Sequence, residues 1–214
     1  MSTLKIQILI DNPYSWIMPY AVELEHELKR RGNDVFLIHN HEDVLEGDIL
    51  CLLACEKIFK KLDLNRHNLV VHESDLPKGK GWSPLTWQVL EGKNKIPVTL
   101  FEAAKALDAG PLYAKEYIEL IGNELLPEIK HEQGKATQKL ILDFVERYPQ
   151  VKSQEQEGEE TFYPRRTYKD SELDPNKTLA EQFDLLRVCD NERYPAHFTF
   201  RNQKFIIKIF KQDD

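Results

Sequence analysis

An α/β fold, with a parallel or mixed sheet flanked by helices, is what this sequence predicts, and three observations carry the prediction. Short apolar segments rich in Ile, Leu and Val recur through the first half of the chain. A segment with helical periodicity separates the first two of them. The connections are short and hold the Gly, Pro, Asn and Asp that mark turns. At 214 residues the chain suits one such domain with a modest extension.

The elements follow in order. Leu4 to Ile10 reads as a buried strand. Ile17, Tyr20, Ala21, Leu24 and Leu28 recur at helical spacing, with Glu23, Glu27, Lys29 and Arg30 on the other face and Gly32 at the usual C-terminal stop. Val35 to Ile38, Asp48 to Ala54 and Asn68 to His72 make the second, third and fourth strands. Strand, helix, strand, strand with short connections points to a parallel sheet covered by helices. A turn-rich stretch, Asp75 to Gly81, leads to a helix over Pro84 to Glu91. Strands at Val98 to Glu102 and Leu112 to Leu120 are joined through Leu107-Asp108-Ala109-Gly110-Pro111. A long helix spans Leu125 to Tyr148, its start weakened by Pro127 and Gly134. These elements make a first domain, 1–149. The polar, acidic segment 150–160 reads as a surface linker. A C-terminal extension, 161–214, holds Tyr163-Pro164-Arg165-Arg166, a short helix from Leu179 to Val188, and strands Ala196 to Phe200 and Lys204 to Phe210 with a hairpin turn at Asn202 and Gln203.

The composition, 41% hydrophobic and 30% charged, is that of a water-soluble globular protein. No apolar run reaches the roughly 18 residues that would span a membrane, and the N-terminus lacks the apolar core of a secretory signal. A cytoplasmic location without a membrane partner is the expectation. Cys51, Cys55 and Cys189 do not make a disulfide framework, and the first two sit in an apolar run as buried thiols. They lack the further ligands a zinc site needs, and His39 and His41 read as solvated loop residues, so no metal is expected. A net charge of -7 argues against a nucleic-acid partner, which would require clustered Lys and Arg.

In an open parallel sheet, ligands bind beyond the carboxyl ends of the strands. His72 ends a strand and opens a Gly- and Pro-rich loop. An imidazole there suits proton transfer near neutrality, and a carboxylate such as Asp108, in a later turn, would orient it. Position alone leaves two readings of each residue. His72 is a catalytic imidazole or a packed strand end, and Asp108 is its partner or a turn residue bonded to its own backbone. The first strand is followed by Asp11-Asn12-Pro13-Tyr14-Ser15-Trp16, without the glycines of a dinucleotide fingerprint. There is no P-loop and no Gly-x-Ser-x-Gly elbow.

His72-Glu73-Ser74-Asp75-Leu76-Pro77, Gly81, Trp87-Gln88-Val89-Leu90-Glu91-Gly92, Val98-Thr99-Leu100 and Leu107-Asp108-Ala109-Gly110-Pro111 together resemble the formyltransferase family. The likeness covers Asn68 to Glu119 well and the N-terminal half loosely. It implies a Rossmann-like catalytic domain that takes a formyl group from 10-formyltetrahydrofolate, with His72 and Asp108 catalytic. It also implies a pterin site near Leu76, Pro77, Leu107 and Gly110. The family pattern has an Asn two positions before the histidine, where this chain has Val70. Valine donates no hydrogen bond to an oxyanion, a loss of about 3 kcal/mol in barrier. Ser74 or Asn68 is the candidate replacement, and Ser74 joins the catalytic set. Glu73 and Asp75 replace the family's Pro and Leu, which makes the loop acidic and suits a cationic amine or leaves both carboxylates in solvent.

The resemblance also bears on the acceptor. The chain lacks the basic C-terminal barrel of the tRNA-directed members, so no tRNA partner is expected. Its first loop has no glycine to cradle a ribonucleotide phosphate. The loop through Lys80-Gly81-Trp82-Ser83-Pro84 and the segment Arg165-Arg166-Thr167 to Asp174 resemble the compact amino-sugar N-formyltransferases of pseudaminic-acid-type pathways. This implies a nucleotide-linked 4-amino-4,6-dideoxy sugar as acceptor. Lys80, Arg165 and Arg166 would bind its diphosphate, and Trp82 or Tyr194 would stack on a ring. The alternatives are formylation of another small amine, hydrolysis of the donor, or a non-catalytic folate- or sugar-nucleotide-binding protein. The sequence does not decide between a monomer and a homodimer.

Overall fold

The protein is described here by a computed structural model covering residues 3–212; residues 1–2 and 213–214, at the ends of the two expected domains, lie outside it. Its centre is a six-stranded sheet. Strand β1 (Lys5–Leu9) is followed by helix α1 (Met18–Arg30), then β2 (Asp34–Ile38), β3 (Gly47–Leu52) and β4 (Asn65–His72). A two-residue strand β5 (Lys80–Gly81), helix α2 (Pro84–Leu90), β6 (Lys95–Glu102), β7 (Leu112–Glu119) and helix α3 (Leu126–Arg147) complete the first part. The strand order is β2-β1-β3-β4-β6-β7. The first four strands are parallel, whereas β6 runs antiparallel to β4 and β7 antiparallel to β6. The sheet is therefore mixed, the arrangement the apolar runs allowed but did not specify.

Periodicity explains the layering. Ile6, Ile8 and Ile10 point to one face with Ile49, Cys51, Leu69, Val98 and Leu100, where α1, α2 and α3 supply Leu24, Leu28, Val89, Ile141 and Phe144. Leu9, Leu50 and Leu52 point to the other face, covered by Val44 and Phe59 of the connections after β2 and β3. Helix α1 closes where the N–H of Gly32, at φ +86, donates to Lys29 O and that of Asn33 to Leu28 O. The two residues expected to weaken α3 do not. Pro127 sits in the first turn, where its missing N–H costs nothing. The Glu128 carboxylate accepts from Leu125 N–H at 2.8 Å. Gly134 faces the Tyr20 ring so closely that a Cβ would lie 2.5 Å from it, so the glycine lets α1 and α3 approach.

After α3 the chain forms β8 (Phe162–Tyr163), paired with β5, then a short helix α4 (Phe183–Arg187) and a hairpin of β9 (Ala196–Phe200) and β10 (Gln203–Ile207). The predicted helix over 179–188 is a 3-10 turn leading into those five α-helical residues. The hairpin turn falls one residue earlier than expected, because Arg201 and Asn202, at φ +49 and +62, make the left-handed pair that such a turn requires. The extension is anchored by Arg187. Its guanidinium, fully buried, bonds Asn94 Oδ1 at 2.7 Å and pairs with Asp184 at 2.9 Å and Glu124 at 3.3 Å. No helix among the described residues is long and apolar enough to cross a membrane.

Candidate active site

Strand β4 carries the centre of the site to the carboxyl edge of the sheet. Because side chains alternate, Asn68, Val70 and His72 share one face. Val70 packs with Leu76, Phe101 and Leu112, so the position before the imidazole is an apolar floor. Asn68 lies four residues back, about 13 Å along a strand. Its Nδ2 is held by Leu62 O at 2.8 Å, so its amide does not reach the imidazole.

Beyond His72 the chain doubles back. Ser74 N–H donates to His72 O, and Lys78 N–H to Asp75 O. Gly79 and Gly81 take φ of +73 and +100, and a Cβ on Gly81 would meet Tyr163 O at 2.5 Å. The returning turn puts Gly79 O 2.9 Å from His72 Nε2. With a carbonyl as partner, Nε2 carries the proton and Nδ1 is left as the basic nitrogen.

The second loop arrives from the β6–β7 connection. Asp108, at φ +49, points its carboxylate at the first loop. Oδ2 accepts from Gly81 N–H at 2.9 Å and lies 3.8 Å from His72 Nε2. Both side chains are nine-tenths covered. This is ion-pair range rather than a hydrogen bond, a spacing that commonly tightens when substrate binds. Gly110 is required where it stands, since a Cβ there would fall 1.7 Å from Glu102 O.

A cavity of about 550 Å³ opens beside these loops. Leu76, Pro77 and Leu112 form its apolar wall, Lys78 and Lys115 stand in its rim, the latter paired with Asp75, and Glu155, Glu157 and Glu159 border it. Leu76 and Pro77, expected at the pterin, line this cavity, whereas Leu107 and Gly110 do not, and Leu107 is half-exposed. Ser74 is buried, and its Oγ is sealed with no hydrogen-bond partner. Thr99 Oγ1 instead donates to the Ser74 carbonyl.

The residues expected to hold an acceptor divide into two groups. Trp82 and Arg165 come together, with the guanidinium 4.8 Å over the half-exposed indole. Lys80 is buried, its Nζ 2.5 Å from Glu160 Oε1, and so is spoken for within the protein. Arg166 donates to Asp170 O at 3.0 Å, holding the turn before Ser171. Tyr194 is half-exposed, and its carbonyl accepts from Ser171 Oγ, which places it with the hairpin extension.

Two further groups were not anticipated from the sequence. Glu73 keeps part of its surface in solvent, but its carboxyl sits among protein atoms beside Gln133 and near His72; burial pushes its pKa up. Its pattern, one acidic residue in an acidic loop, gave no sign of this. His41, Asp11 and Cys55 converge at the other end of the sheet edge, His41 Nε2 lying 3.2 Å from Asp11 Oδ2. Their atoms are already engaged. Asp11 accepts from Glu56 and Lys57 N–H, and the Cys55 thiol, its pKa pushed up to about 12 by burial, donates to Leu9 O.

A family profile described as "Formyl transferase" matches residues 19–145, more than half of the chain. The chain belongs to the formyl transferase family. It is 28% identical over 151 residues to a methionyl-tRNA formyltransferase of Lactococcus lactis, covering 69% of this chain and 47% of the relative. The chain therefore spans about half the length of that curated relative. Two solved structures share the fold. One is a sugar N-formyltransferase from Shewanella, with a TM-score of 0.70, 13% identity and 99% of each chain covered. The other is HypX from Aquifex aeolicus in complex with tetrahydrofolic acid, with a TM-score of 0.78 and 17% identity over 97% of this chain and 38% of that one. The family match takes in β2 to β7, so both the His72 and the Asp108 loops lie inside it, whereas Trp82's partner Arg165 and the hairpin lie beyond.

Proposed function

We propose that the protein is an N-formyltransferase that moves a formyl group from 10-formyltetrahydrofolate to the amine of a nucleotide-linked amino sugar. The observation that carries the reading is the His72 imidazole, 3.8 Å from the Asp108 carboxylate at the carboxyl end of β4, at the head of a loop whose Leu76 and Pro77 wall a cavity together with Leu112. That apolar wall fits a flat heterocycle, and Lys78 in its rim fits an anionic tail. In the reaction the acceptor amine attacks the formyl carbon and the carbonyl oxygen takes up negative charge; the carbonyl re-forms as the bond from that carbon to the donor nitrogen breaks, and tetrahydrofolate leaves with the proton the amine gives up. His72 manages the amine proton through its imidazole, and Asp108 stabilises the imidazolium that forms. The sealed Ser74 hydroxyl reaches the oxyanion only if the 74–81 turn shifts. The Trp82–Arg165 pair, exposed and cationic, supports a sugar-nucleotide acceptor, as does the fold shared with the Shewanella enzyme.

Incubating the purified protein with 10-formyltetrahydrofolate and UDP-4-amino-4,6-dideoxy sugars, and following formyl-sugar mass and free tetrahydrofolate, tests the reading. Equal release of both products is the expected result. Tetrahydrofolate released without formyl-sugar would instead make the protein a hydrolase, and ligand binding without either product would make it a non-catalytic binder.

A further inference from the structure

The segment between α3 and β8, polar and without periodicity, clasps both loops of the site. Against the His72 loop, Gly79 N–H donates to Thr161 Oγ1 at 2.8 Å and Lys80 N–H to Thr161 O at 2.9 Å. Glu160 meets the buried Lys80 ammonium. Against the Asp108 loop, Gln154 and Leu112 exchange both backbone hydrogen bonds, at 2.7 and 2.9 Å. Between these anchors stands Gln156. From Lys152 to Phe162 it is the one residue not exposed. Its Nε2 donates to Asp108 O and to Gly110 O, each at 2.8 Å. Its Oε1 is buried without a partner, so the side chain is held there by its donor end alone.

We infer that Gln156 is a positioning residue that fixes the turn presenting the Asp108 carboxylate to His72. The two carbonyls it bridges flank Ala109, and Asp108 holds a left-handed backbone conformation, at φ +49, that turns both carbonyls toward the amide. The amide group satisfies two converging carbonyl dipoles at once. Without it they repel and the turn relaxes, taking Oδ2 away from Gly81 N–H and from the imidazole. The inference rests on the reading of Asp108 as the partner of His72.

The test compares Gln156→Met, which keeps the volume and loses the donor, with Gln156→Ala and Asp108→Asn in the full-length protein. Turnover of 10-formyltetrahydrofolate with a UDP-4-amino-4,6-dideoxy sugar is measured, together with NMR cross-peaks of the His72 ring. Gln156→Met is expected to lower kcat about ten- to a hundredfold at little changed KM, the cost of a misplaced catalytic group. Its His72 cross-peak is expected to move toward the position found in Asp108→Asn. Normal kcat and an unmoved cross-peak in Gln156→Met, with Asp108→Asn impaired, would overturn the inference and leave the active-site reading standing. Normal turnover in Asp108→Asn would sink that reading, and the cross-peak would then decide alone whether Gln156 sets the turn. Should Gln156→Ala fail to fold, the methionine variant answers by itself.

Discussion

Lys80 separates the structural reading of this site from the one its sequence suggests. Its ammonium is 2% exposed and lies 2.5 Å from a Glu160 carboxylate that is 54% exposed. Replacing Glu160 by Ala leaves a buried cation without its partner. A fully buried pair broken in this way loses about 3–5 kcal/mol. Water reaches the Glu160 end, however, so about 2 kcal/mol is the expected loss here. Lys80→Met keeps most of the packed stem and removes the charge, for a cost within about 1 kcal/mol. The double variant should then match Lys80→Met, a departure from additivity of about 2 kcal/mol. For a chain of this size, Glu160→Ala should lower the melting temperature by about 4–8 °C. Denaturation of the four proteins gives the cycle, and the KM for a UDP-amino sugar is measured beside it. If Lys80→Met raised that KM tenfold while the cycle came out additive, the ammonium would belong to the ligand and the buried pair would be incidental.

Three further outcomes follow from the geometry. His72→Ala and Asp108→Ala should each lower turnover by more than about a hundredfold while circular dichroism stays native; near-normal rates in either would misplace the active site. Gly110→Ala forces backbone on backbone, since its Cβ would fall 1.7 Å from Glu102 O. Opening that contact also strains the Glu102 N–H to Pro111 O bond, for a cost of about 3 kcal/mol; unchanged urea denaturation would contradict it. Glu73 has its pKa raised by burial, so its favourable contribution to stability is complete below its unfolded pKa and is lost as pH rises through the folded one. Glu73→Gln should accordingly melt like the parent at acid pH and above it at neutral pH, a gap that differential scanning calorimetry across that range would show or fail to show.

What the sequence could and could not disclose follows from the forces involved. The strands and α1 were legible because burying a face imposes a period, and Ile6, Ile8 and Ile10 or Ala21, Leu24 and Leu28 display it directly. The direction of β6 and β7 was not, since side-chain patterning records which face of a strand is buried and reads the same whichever way the chain runs. Gly134 looked like a helix breaker because its reason is the Tyr20 ring, 114 positions away in the chain. His72 and Asp108 stood out in the sequence as candidates, one ending a strand and the other in the turn between two strands, and the structure brings their side chains to 3.8 Å. Lys80 and Arg166 looked free to bind a diphosphate because a sequence shows a charge and hides its partner, the Glu160 carboxylate in one case and the Asp170 backbone carbonyl in the other.

The segment at 154–163 marks where this kind of reading stops. It lies after the residues the family profile matches, and its part up to residue 160 was taken for a linker on its composition, the rest for the start of the extension. Its work is done through backbone groups, the Thr161 carbonyl on Lys80 and the Gln154 pair on Leu112, and through one glutamine amide on two carbonyls. Backbone hydrogen bonds place almost no demand on side-chain identity, so no pattern records them. The proposed pair drew notice because the chemistry of proton transfer calls for an imidazole and a carboxylate. The scaffold that sets their 3.8 Å separation requires only a chain that crosses both loops at the right height, with one donor long enough to reach. A site of this design can keep its visible residues and still lose its alignment through changes in a stretch that looks like spacer, which is why the donor of Gln156, rather than the acidic residues around it, is the group to perturb.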